Sequence, residues 1–318
     1  MSETLKEFAL ALSKVRSATV VAHMRPDGDT LGSALSLSVV LRSLGIRNEV
    51  VCESVVPDTF LSLPGAREIK KEPTFDAEAI VCVDCSDENR TGALADWLIR
   101  SKHKKFNIDH HVSNTRFGDY NYVRTCSANC QNMAELYRLL GAEVDKDAAN
   151  LLMVGLLTDS GSFTHSDVDA ETMRTAAFLL ERGADISGLT YHLFRRQRKE
   201  RFLLNTRIMA KARFALDDRL AFIAVTQDDL AAVGAKQEMT EGFVDYPLTV
   251  DSVEVSVALL EVKKRTYKVS LRSKGTVNVN EVASCFGGGG HVLASGCMVF
   301  GELEEVIDKL TYAVSQRL

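Results

Sequence analysis

Residues 18–45 read ATVVAHMRPDGDTLGSALSLSVVLRSLG and decide the fold of the first half of the chain. The apolar run 18–22 predicts a short buried strand. Apolar residues in 30–44 recur at helical spacing up to Gly45, a residue type that commonly ends a helix. Between them lies the polar turn HMRPDGD. The sequence therefore predicts a strand, a loop with acidic side chains and a helix in direct succession.

The same alternation continues along the chain. We expect further strands at 48–52, 79–83 and 105–108, and further helices at 3–15, about 131–140, about 147–157 and 169–182. The run 79–83 is apolar throughout, which is typical of a strand buried on both faces. Strands that alternate with helices predict an α/β domain with a parallel sheet. In such sheets ligands bind beyond the carboxyl ends of the strands.

The pattern changes after residue 190. Residues 191–214 are rich in helix formers, contain neither Pro nor Gly and predict a helical connector. We interpret its basic cluster as a solvated face rather than a nucleic-acid track. Strands at 220–225, 253–262, 267–271 and about 296–300, with helices at 280–286 and from about 302, predict a smaller α+β domain. The predicted organisation is a parallel-sheet domain at 1–190, the connector at 191–214 and a second domain at 215–318.

Composition narrows the class of protein. The chain has 318 residues, of which 46% are hydrophobic and 25% are charged, and its formal net charge is −5. These values are ordinary for a soluble globular protein, and the negative charge argues against binding of duplex DNA through many phosphates. The seven Cys residues lack the spacing of a disulfide framework. With no cleavable signal pattern and no apolar run of about 20 residues, we expect a cytoplasmic protein.

Asp and His residues recur where apolar runs end. The side chains in question are His23, Asp27, Asp29, Asp84, Asp109, His110, His111 and Asp159. Single members of this set have ordinary explanations, such as an Asp that caps a helix. Their repetition in four separated segments instead indicates carboxylates and imidazoles that converge to bind two hard divalent cations.

Two neighbouring cations share at least one ligand. We expect Asp84, which ends the most apolar strand, to be that bridge. The remaining ligands divide into His23 and Asp27 for a first site and Asp29, His110 and Asp159 for a second. Oxygen-rich ligation with a few imidazoles favours two Mn²⁺ ions, with Mg²⁺ or Co²⁺ as alternatives. A water that bridges the cations would lose a proton and attack phosphorus as hydroxide.

Adjacent residues point in different directions, so the two neighbouring imidazoles differ in role. With His110 on a cation, we expect His111 to contact an oxygen of the scissile phosphate or the leaving group. Asp109 either orients a ligating imidazole or caps the loop after its strand. The predicted catalytic residues are Asp84, Asp109, His110 and His111.

A glycine-rich segment, FGGGGHVLASG at 286–296, provides the second functional signal. Consecutive glycines let backbone N–H groups approach an anion, and Arg can grip a phosphate with two parallel hydrogen bonds. The predicted substrate-binding residues are Arg272, Ser273, Gly288, Gly289, Gly290 and His291, together with His111 and Arg116. For Arg116, a surface ion pair is the alternative interpretation.

These motifs resemble the DHH phosphoesterase superfamily. The segments that carry the resemblance are HMRPDGDTLGS, VDCSD, IDHHVSN and LLTDSGSF, while SLRS and FGGGGHVLASG are similar to the DHH-associated domain. The compact two-domain length looks most like the NrnA-type branch of bifunctional oligoribonucleases and 3′-phosphoadenosine 5′-phosphate (PAP) phosphatases.

The resemblance implies Mn²⁺-dependent hydrolysis of very short oligonucleotides, such as nanoRNA and linear dinucleotides, to nucleoside 5′-monophosphates. It also implies hydrolysis of PAP to AMP. The cations would lie in the first domain, the far end of the substrate would contact the second, and a homodimer is compatible with the family. A soluble phosphodiesterase for cyclic di-AMP or its linear product is the alternative enzyme. A nucleotide-binding protein without catalysis is the alternative from another class, which the complete ligand set disfavours.

Overall fold

The chain forms two compact units, each with its own sheet and hydrophobic core. The computed structural model describes residues 5–318, and the division between the units falls between Arg196 and Gln197, inside the predicted connector. Among the described residues, no helix is long and apolar enough to cross a membrane.

The first unit is a parallel α/β sheet, as predicted. Its strands are β1 (Ser17–Val21), β2 (Arg47–Val51), β3 (Ala79–Val83), β4 (Lys104–Asp109) and β5 (Tyr120–Val123). Its helices are α1 (Leu5–Leu12), α2 (Gly28–Ser43), α3 (Ala95–Arg100), α4 (Asn129–Leu139), α5 (Lys146–Asp159), α6 (Ala170–Glu181) and α7 (Ile186–Thr190). The strand order is β2-β1-β3-β4-β5, and every neighbouring pair is parallel.

Burial explains why the central strand β3 forms where the sequence predicts it. Every residue of β3 is buried, so the apolar run and the strand coincide. Helix α1 lies within the helix predicted at 3–15, of which residues 3 and 4 lie outside the described part of the chain. Strand β5 was not predicted, because it has only four residues and all of them are half-buried.

Two glycines allow α2 and α5 to pack closely. A methyl group at Gly32 would overlap the carbonyl oxygen of Leu151, and one at Gly155 would overlap the carboxylate of Asp29 and the thiol of Cys130. The close approach brings the beginning of α2 beside the last turns of α5. It therefore places the acidic residues at these two helix ends near each other.

The second unit is built on a mixed six-stranded sheet. Its strands are β6 (Arg213–Ala215), β7 (Leu220–Val225), β8 (Val255–Lys263), β9 (Thr266–Ser273), β10 (Gly289–Gly290) and β11 (Ala294–Phe300). Its helices are α8 (Lys199–Met209), α9 (Gln227–Val233), α10 (Val279–Ser284) and α11 (Leu303–Ser315). The order is β10-β11-β9-β8-β7-β6, in which β7 and β8 are parallel and the other pairs are antiparallel.

The segment predicted as one helical connector, 191–214, is not a continuous helix. It contains a single π-helical turn at Tyr191–Arg195, a non-helical stretch at 196–198, helix α8 and the start of β6. Helix propensity favoured one helix, but strand β6 pairs with β7 through Arg213 and Phe222. Tertiary pairing therefore overrides the local preference at the end of the segment.

Candidate metal centre

The predicted Asp and His side chains meet at one edge of the first sheet. His23 follows β1, Asp84 follows β3, and Asp109 ends β4 directly before His110 and His111. Because parallel strands end at the same edge of a sheet, these side chains converge. Asp27 and Asp29 arrive from the beginning of α2, and Asp159 arrives from the end of α5 rather than from a strand.

Three overlapping groups of side chains could each hold a cation. Within each group the ligand atoms lie within 4.8 Å of one another. The groups are Asp84 with Asp109, His110 and His111; His23 with Asp27 and Asp84; and Asp29 with His110 and Asp159. Asp84 is shared by the first two groups and His110 by the first and third, so the groups form one continuous cluster.

The distances around Asp84 are slightly longer than or equal to those between atoms that share a cation. His23 Nε2 lies 3.6 Å from Asp84 Oδ2, and His110 Nε2 lies 3.3 Å from Asp84 Oδ1. His23 Nε2 also lies 3.8 Å from Asp27 Oδ2. Ligands at roughly 2.1 Å from a metal lie about 3–3.5 Å apart, whereas a good N–H···O hydrogen bond is about 2.9 Å. The spacing is therefore close to that of ligand pairs and too long for good hydrogen bonds.

His110 reaches the second group of acidic residues at similar distances. Its Nε2 atom lies 3.8 Å from Asp29 Oδ2 and 3.6 Å from Asp159 Oδ2. Both imidazoles that face the cluster through Nε2 use their other nitrogen on backbone: His23 Nδ1 lies 2.8 Å from Met24 O, and His110 Nδ1 lies 2.9 Å from Cys126 O. A carbonyl partner at Nδ1 requires the proton there, which leaves the Nε2 lone pair free to bind a metal.

Two buried atoms of the cluster have no hydrogen-bond partner among residues 5–318. They are Nε2 of His23 and Oδ1 of Asp84, on side chains that are only 3% and 2% exposed. Buried polar atoms without a partner are costly and rare in folded proteins. A cation that binds both atoms would remove this cost, so the donor set fits a metal.

The shifted pKa values of the cluster also favour a bound cation. Burial and the neighbouring Asp84 carboxylate raise the pKa of Asp29 to about 7, and burial with Asp29 and Asp84 raises the pKa of Asp159 to about 9. Burial opposes charge on His110, but Asp84 and Asp29 outweigh it and raise its pKa to about 10. Among residues 5–318, no Lys or Arg forms an ion pair with these carboxylates, and the imidazoles balance their charge. A divalent cation would balance that charge more fully.

Asp29 and Asp84 are held in place by groups that the sequence analysis did not single out. The backbone N–H groups of Asn129 and Cys130, at the beginning of α4, donate to the two oxygens of Asp29 at 2.5 and 2.9 Å. The hydroxyl of Thr30 donates to Asp84 Oδ2 at 2.6 Å. Asp84 also has a left-handed backbone, with φ of 54°, which is uncommon for a residue other than glycine. Thr and backbone groups carry no distinctive sequence signal, so only the structure identifies these contacts.

Asp109 is hydrogen-bonded to side chains that follow it in the sequence. It is fully buried, its Oδ1 atom lies 2.8 Å from His111 Nδ1, and its Oδ2 atom accepts from Asn114. The hydrogen bond with Asp109 raises the pKa of His111 and turns Nε2 of His111 away from Asp109. Asp109 contacts the imidazole of His111, which is not one of the predicted metal ligands, and it also accepts a hydrogen bond from Asn114 in the loop after β4. Both interpretations of Asp109 therefore stay predictions.

The predicted substrate-binding residues are less clustered than the metal ligands. Arg116 is exposed on the loop after His111 and has a left-handed backbone. In the second unit, Arg272 and Ser273 are neighbours on β9 and therefore lie on opposite faces of the sheet. The Ser273 hydroxyl is buried and accepts from the N–H of Gly275 at 3.0 Å, which gives it a place in the turn after β9.

The glycine-rich loop runs close to its neighbouring strand. Gly289 and Gly290 pair with Gly296 and Ser295 of β11, and a methyl group at Gly288 would overlap the backbone of Gly296. His291 is exposed in the tight turn between β10 and β11, where its N–H donates to the carbonyl of Ala294 at 2.8 Å. The glycines therefore allow the loop to pack closely against β11, in addition to the substrate binding predicted for them.

Comparison with known proteins places the chain in a family. The model of the DHH family N-terminal domain matches residues 17–156, and the model of the DHHA1 domain matches residues 222–318. A bifunctional oligoribonuclease and PAP phosphatase NrnA from Thermus thermophilus is 31% identical over 325 residues, which cover 99% of this chain and 95% of that protein. A probable protein of the same name from Streptococcus mutans is 26% identical over 95% of this chain and 97% of its own length.

A solved structure supports the same placement. The crystal structure of an exopolyphosphatase-related protein from Bacteroides fragilis superposes with a TM-score of 0.80 at 26% identity, and the match covers 98% of this chain and 95% of that one. The chain belongs to the DHH family, with a DHHA1 domain following the DHH domain. It is therefore a hydrolase that acts on phosphoester bonds.

Proposed function

We propose that this protein hydrolyses very short oligoribonucleotides to nucleoside 5′-monophosphates and PAP to AMP, with two Mn²⁺ ions. The observation that carries the proposal is the pair of buried, unpartnered ligand atoms, His23 Nε2 and Asp84 Oδ1, inside a cluster of carboxylates. The names of the two NrnA relatives supply the substrates, since both match nearly the whole chain.

The chain would hold the cations with the ligands predicted from the sequence. One group is His23, Asp27 and Asp84, and the other is Asp29, Asp84, His110 and Asp159. When bound, the cations would supply Lewis acidity, which neutralises charge on phosphoryl oxygens and makes a water more acidic. The beginning of α4 fixes Asp29, and Thr30 fixes Asp84, so that both carboxylates are positioned before a substrate arrives.

His111 would act on the substrate rather than on a cation. The Asp109 carboxylate accepts the Nδ1 proton of His111 and favours the imidazolium form, in which Nε2–H would donate to an oxygen of the scissile phosphate or of the leaving group. Asp109 is buried and bonded to Asn114 as well, so the orientation of His111 is supported from two sides. In the second unit, Arg272 and the glycine-rich loop with His291 would bind a phosphate of the substrate away from the scissile bond.

Product analysis with the purified full-length chain and Mn²⁺ tests this function. The substrates are a 5′-phosphorylated RNA dinucleotide, PAP and cyclic di-AMP, each with wild type, Asp84→Asn and the exposed control Asp308→Asn. We expect mononucleotides from the dinucleotide and AMP from PAP, both lost in Asp84→Asn and retained in Asp308→Asn. Bound Mn²⁺ measured by atomic emission should fall in Asp84→Asn alone.

Other outcomes would redirect the assignment. Cleavage of cyclic di-AMP in preference to the linear dinucleotide would make the protein a cyclic-dinucleotide phosphodiesterase. Tight nucleotide binding without hydrolysis of any of the three substrates would contradict the proposal and indicate a binding protein.

A further inference from the structure

The turn that follows α5, at residues 160–165, contains three consecutive residues with positive φ. The φ angles of Gly161, Ser162 and Phe163 are 55°, 57° and 66°. Positive φ is disfavoured for residues with a Cβ atom, and a run of such residues is rarer still. Backbone strain of this kind clusters at functional sites, where the surrounding structure holds it in place. The turn begins directly after Asp159, one of the proposed metal ligands, and is therefore a candidate part of the substrate site.

The turn is held by hydrogen bonds to one buried residue, Ser160. The Ser160 hydroxyl accepts from the N–H of Phe163 at 3.0 Å. The Ser160 carbonyl accepts from the N–H of Thr164 at 2.9 Å and from that of His165 at 3.0 Å. The ring of Phe163 packs against the hydrophobic core of the first unit. These contacts fix the path of the chain after α5, so the backbone that carries His165 is rigid.

The imidazole of His165 presents a hydrogen-bond acceptor to solvent. Its Nδ1 atom lies 2.7 Å from the carbonyl oxygen of Asp159, and a methyl group at Gly161 would overlap the ring, so the ring packs against the turn. A carbonyl only accepts, so Nδ1 carries a proton, and Nε2 of the neutral ring then accepts. Among residues 5–318, Nε2 of His165 forms no hydrogen bond or ion pair, and the residue is exposed.

This acceptor lies on the side from which a substrate reaches the metal centre. The inner members of the cluster are buried, whereas the side chains of Asp27, His111 and Asp159 are 55%, 37% and 25% exposed. A phosphate therefore approaches the cations past these three side chains. Asp159 directs its carboxylate into the cluster and holds His165 through its carbonyl, so His165 lies at the rim of the centre.

Both proposed substrates offer a hydroxyl donor next to the bond that breaks. Hydrolysis of an oligoribonucleotide to 5′-monophosphates and hydrolysis of PAP to AMP each release a 3′ oxygen of a ribose. The 2′-hydroxyl is bonded to the neighbouring carbon of that ribose. It is also the group by which a protein distinguishes RNA from DNA at a given position.

We propose that His165 is a specificity-determining residue, whose Nε2 atom accepts a hydrogen bond from the 2′-hydroxyl of the ribose that carries the leaving 3′ oxygen. His165 thereby selects ribonucleotides over deoxyribonucleotides at that position alone. The inference rests on the proposed function, because it assigns a contact to one ribose of the proposed substrates.

Steady-state kinetics on the full-length chain with Mn²⁺ test the contact. The probes are the 5′-phosphorylated adenosine dinucleotide and two analogues, each 2′-deoxy at one of the two riboses. The variants are His165→Phe, which keeps a ring without the acceptor, and His165→Gln, whose Oε1 atom restores an acceptor. His103→Phe is the matched control, because His103 directly precedes β4 and so lies at the opposite edge of the sheet from the metal centre. Melting temperatures report the fold of each variant.

The expected result is a change in the ratio of kcat/KM between the ribose and deoxyribose substrates. For the ribose that carries the leaving oxygen, the preference of wild type for the 2′-hydroxyl should fall by about three- to tenfold in His165→Phe, as for the loss of one neutral hydrogen bond. His165→Gln should recover part of it, and His103→Phe should match wild type. The 2′-deoxy change also alters the reactivity of the leaving oxygen, but this effect is the same in every variant and cancels in the comparison.

Two results would overturn the inference. The first is an equal loss of activity on all three dinucleotides in His165→Phe, which is the result expected if the imidazole only supports the turn. The second is a weaker affinity of metal-free His165→Phe for Mn²⁺ in a calorimetric titration, which would make His165 a support of Asp159. The contact with the 2′-hydroxyl predicts the Mn²⁺ affinity of wild type.

Failure of the proposed function would look different. If wild type hydrolyses none of the dinucleotides, calorimetric binding of PAP and of 2′-deoxy PAP replaces kcat/KM as the measurement. A preference of about three- to tenfold for PAP that disappears in His165→Phe then supports the contact by itself. Equal affinities of wild type for the two nucleotides refute it.

Discussion

The hydroxyl of Thr30 is expected to control the metal centre although it is not a ligand. Thr30 is fully buried, and its Oγ1 atom donates to Asp84 Oδ2 at 2.6 Å. Thr30→Val keeps the shape of the side chain and removes this hydrogen bond. A hydrogen bond to a charged group contributes about 1.5–3 kcal/mol, which corresponds to roughly 10–100-fold in binding. We therefore expect the Mn²⁺ concentration for half-maximal activity to rise by roughly 10–100-fold.

Calorimetric titration of the metal-free protein with Mn²⁺ measures the effect directly, and PAP hydrolysis as a function of Mn²⁺ concentration measures its consequence. The matched control is Thr276→Val, which removes a hydroxyl-to-carboxylate hydrogen bond to Glu254 at an exposed position of the second unit. Wild-type Mn²⁺ affinity in a folded Thr30→Val protein would refute the idea that this hydroxyl positions Asp84. Equal losses in both Thr variants would show a general effect on folding instead.

Three further predictions follow from the same contacts. Asp109→Asn should lower kcat for PAP by about 10–100-fold and leave the Mn²⁺ affinity nearly unchanged, because it removes the hydrogen-bond partner of His111 and not a principal metal ligand. Parallel losses of kcat and of Mn²⁺ affinity would place Asp109 on a cation instead. Saturating Mn²⁺ should raise the melting temperature of the metal-free protein, because Mn²⁺ binds only the folded state. The rise should vanish in Asp84→Asn. An equal rise in that variant would show that Mn²⁺ binds at another site. Asp229→Asn should lower the free energy of unfolding at pH 7 by about 1–3 kcal/mol, because buried Asp229 bonds to Arg207, Lys211 and Thr226. Burial alone would raise the pKa of Asp229, but these partners hold it well below its usual range, so its stabilisation is present above about pH 4 and is lost as the pH falls further. Urea unfolding at pH 7 and pH 3 checks this, and a gap between the two proteins that widens in acid would contradict it.

The sequence predicted the central strands β1 and β3 well because they are almost entirely buried. In β3 every residue faces apolar surroundings, so the apolar run itself marks the strand. Strand β5 lacks that mark, because its four residues are half-buried and depend on pairing with β4. The helix predicted across 191–214 failed for a related reason, since local propensity contains no information on the pairing of β6 with β7.

Part of the candidate site could be predicted from the sequence, and part of it could not. Asp and His residues at strand ends are conspicuous in a sequence, and the structure brings His23, Asp84 and His110 within a few ångströms. The groups that hold them are not conspicuous. The hydroxyl of Thr30 and the N–H groups at the beginning of α4 belong to residue types that occur everywhere, and their roles depend on contacts about 54 and 100 residues apart.

The charge balance of the cluster explains why the fold accepts so costly an arrangement. Among residues 5–318, no Lys or Arg forms an ion pair with Asp29, Asp84 or Asp159, although Asp29 is fully buried. Apart from the imidazoles of His23 and His110, the chain supplies only partial positive charge there, from the N–H groups at the beginning of α4, and leaves one buried oxygen of Asp84 without a partner. Burying carboxylates in this state costs stability, and the cost falls when cations bind. The buried ligands have little contact with water and no ion pair with Lys or Arg, which destabilises the metal-free fold. Cation binding relieves this destabilisation. The cost in stability and the proposed metal affinity therefore have the same physical origin.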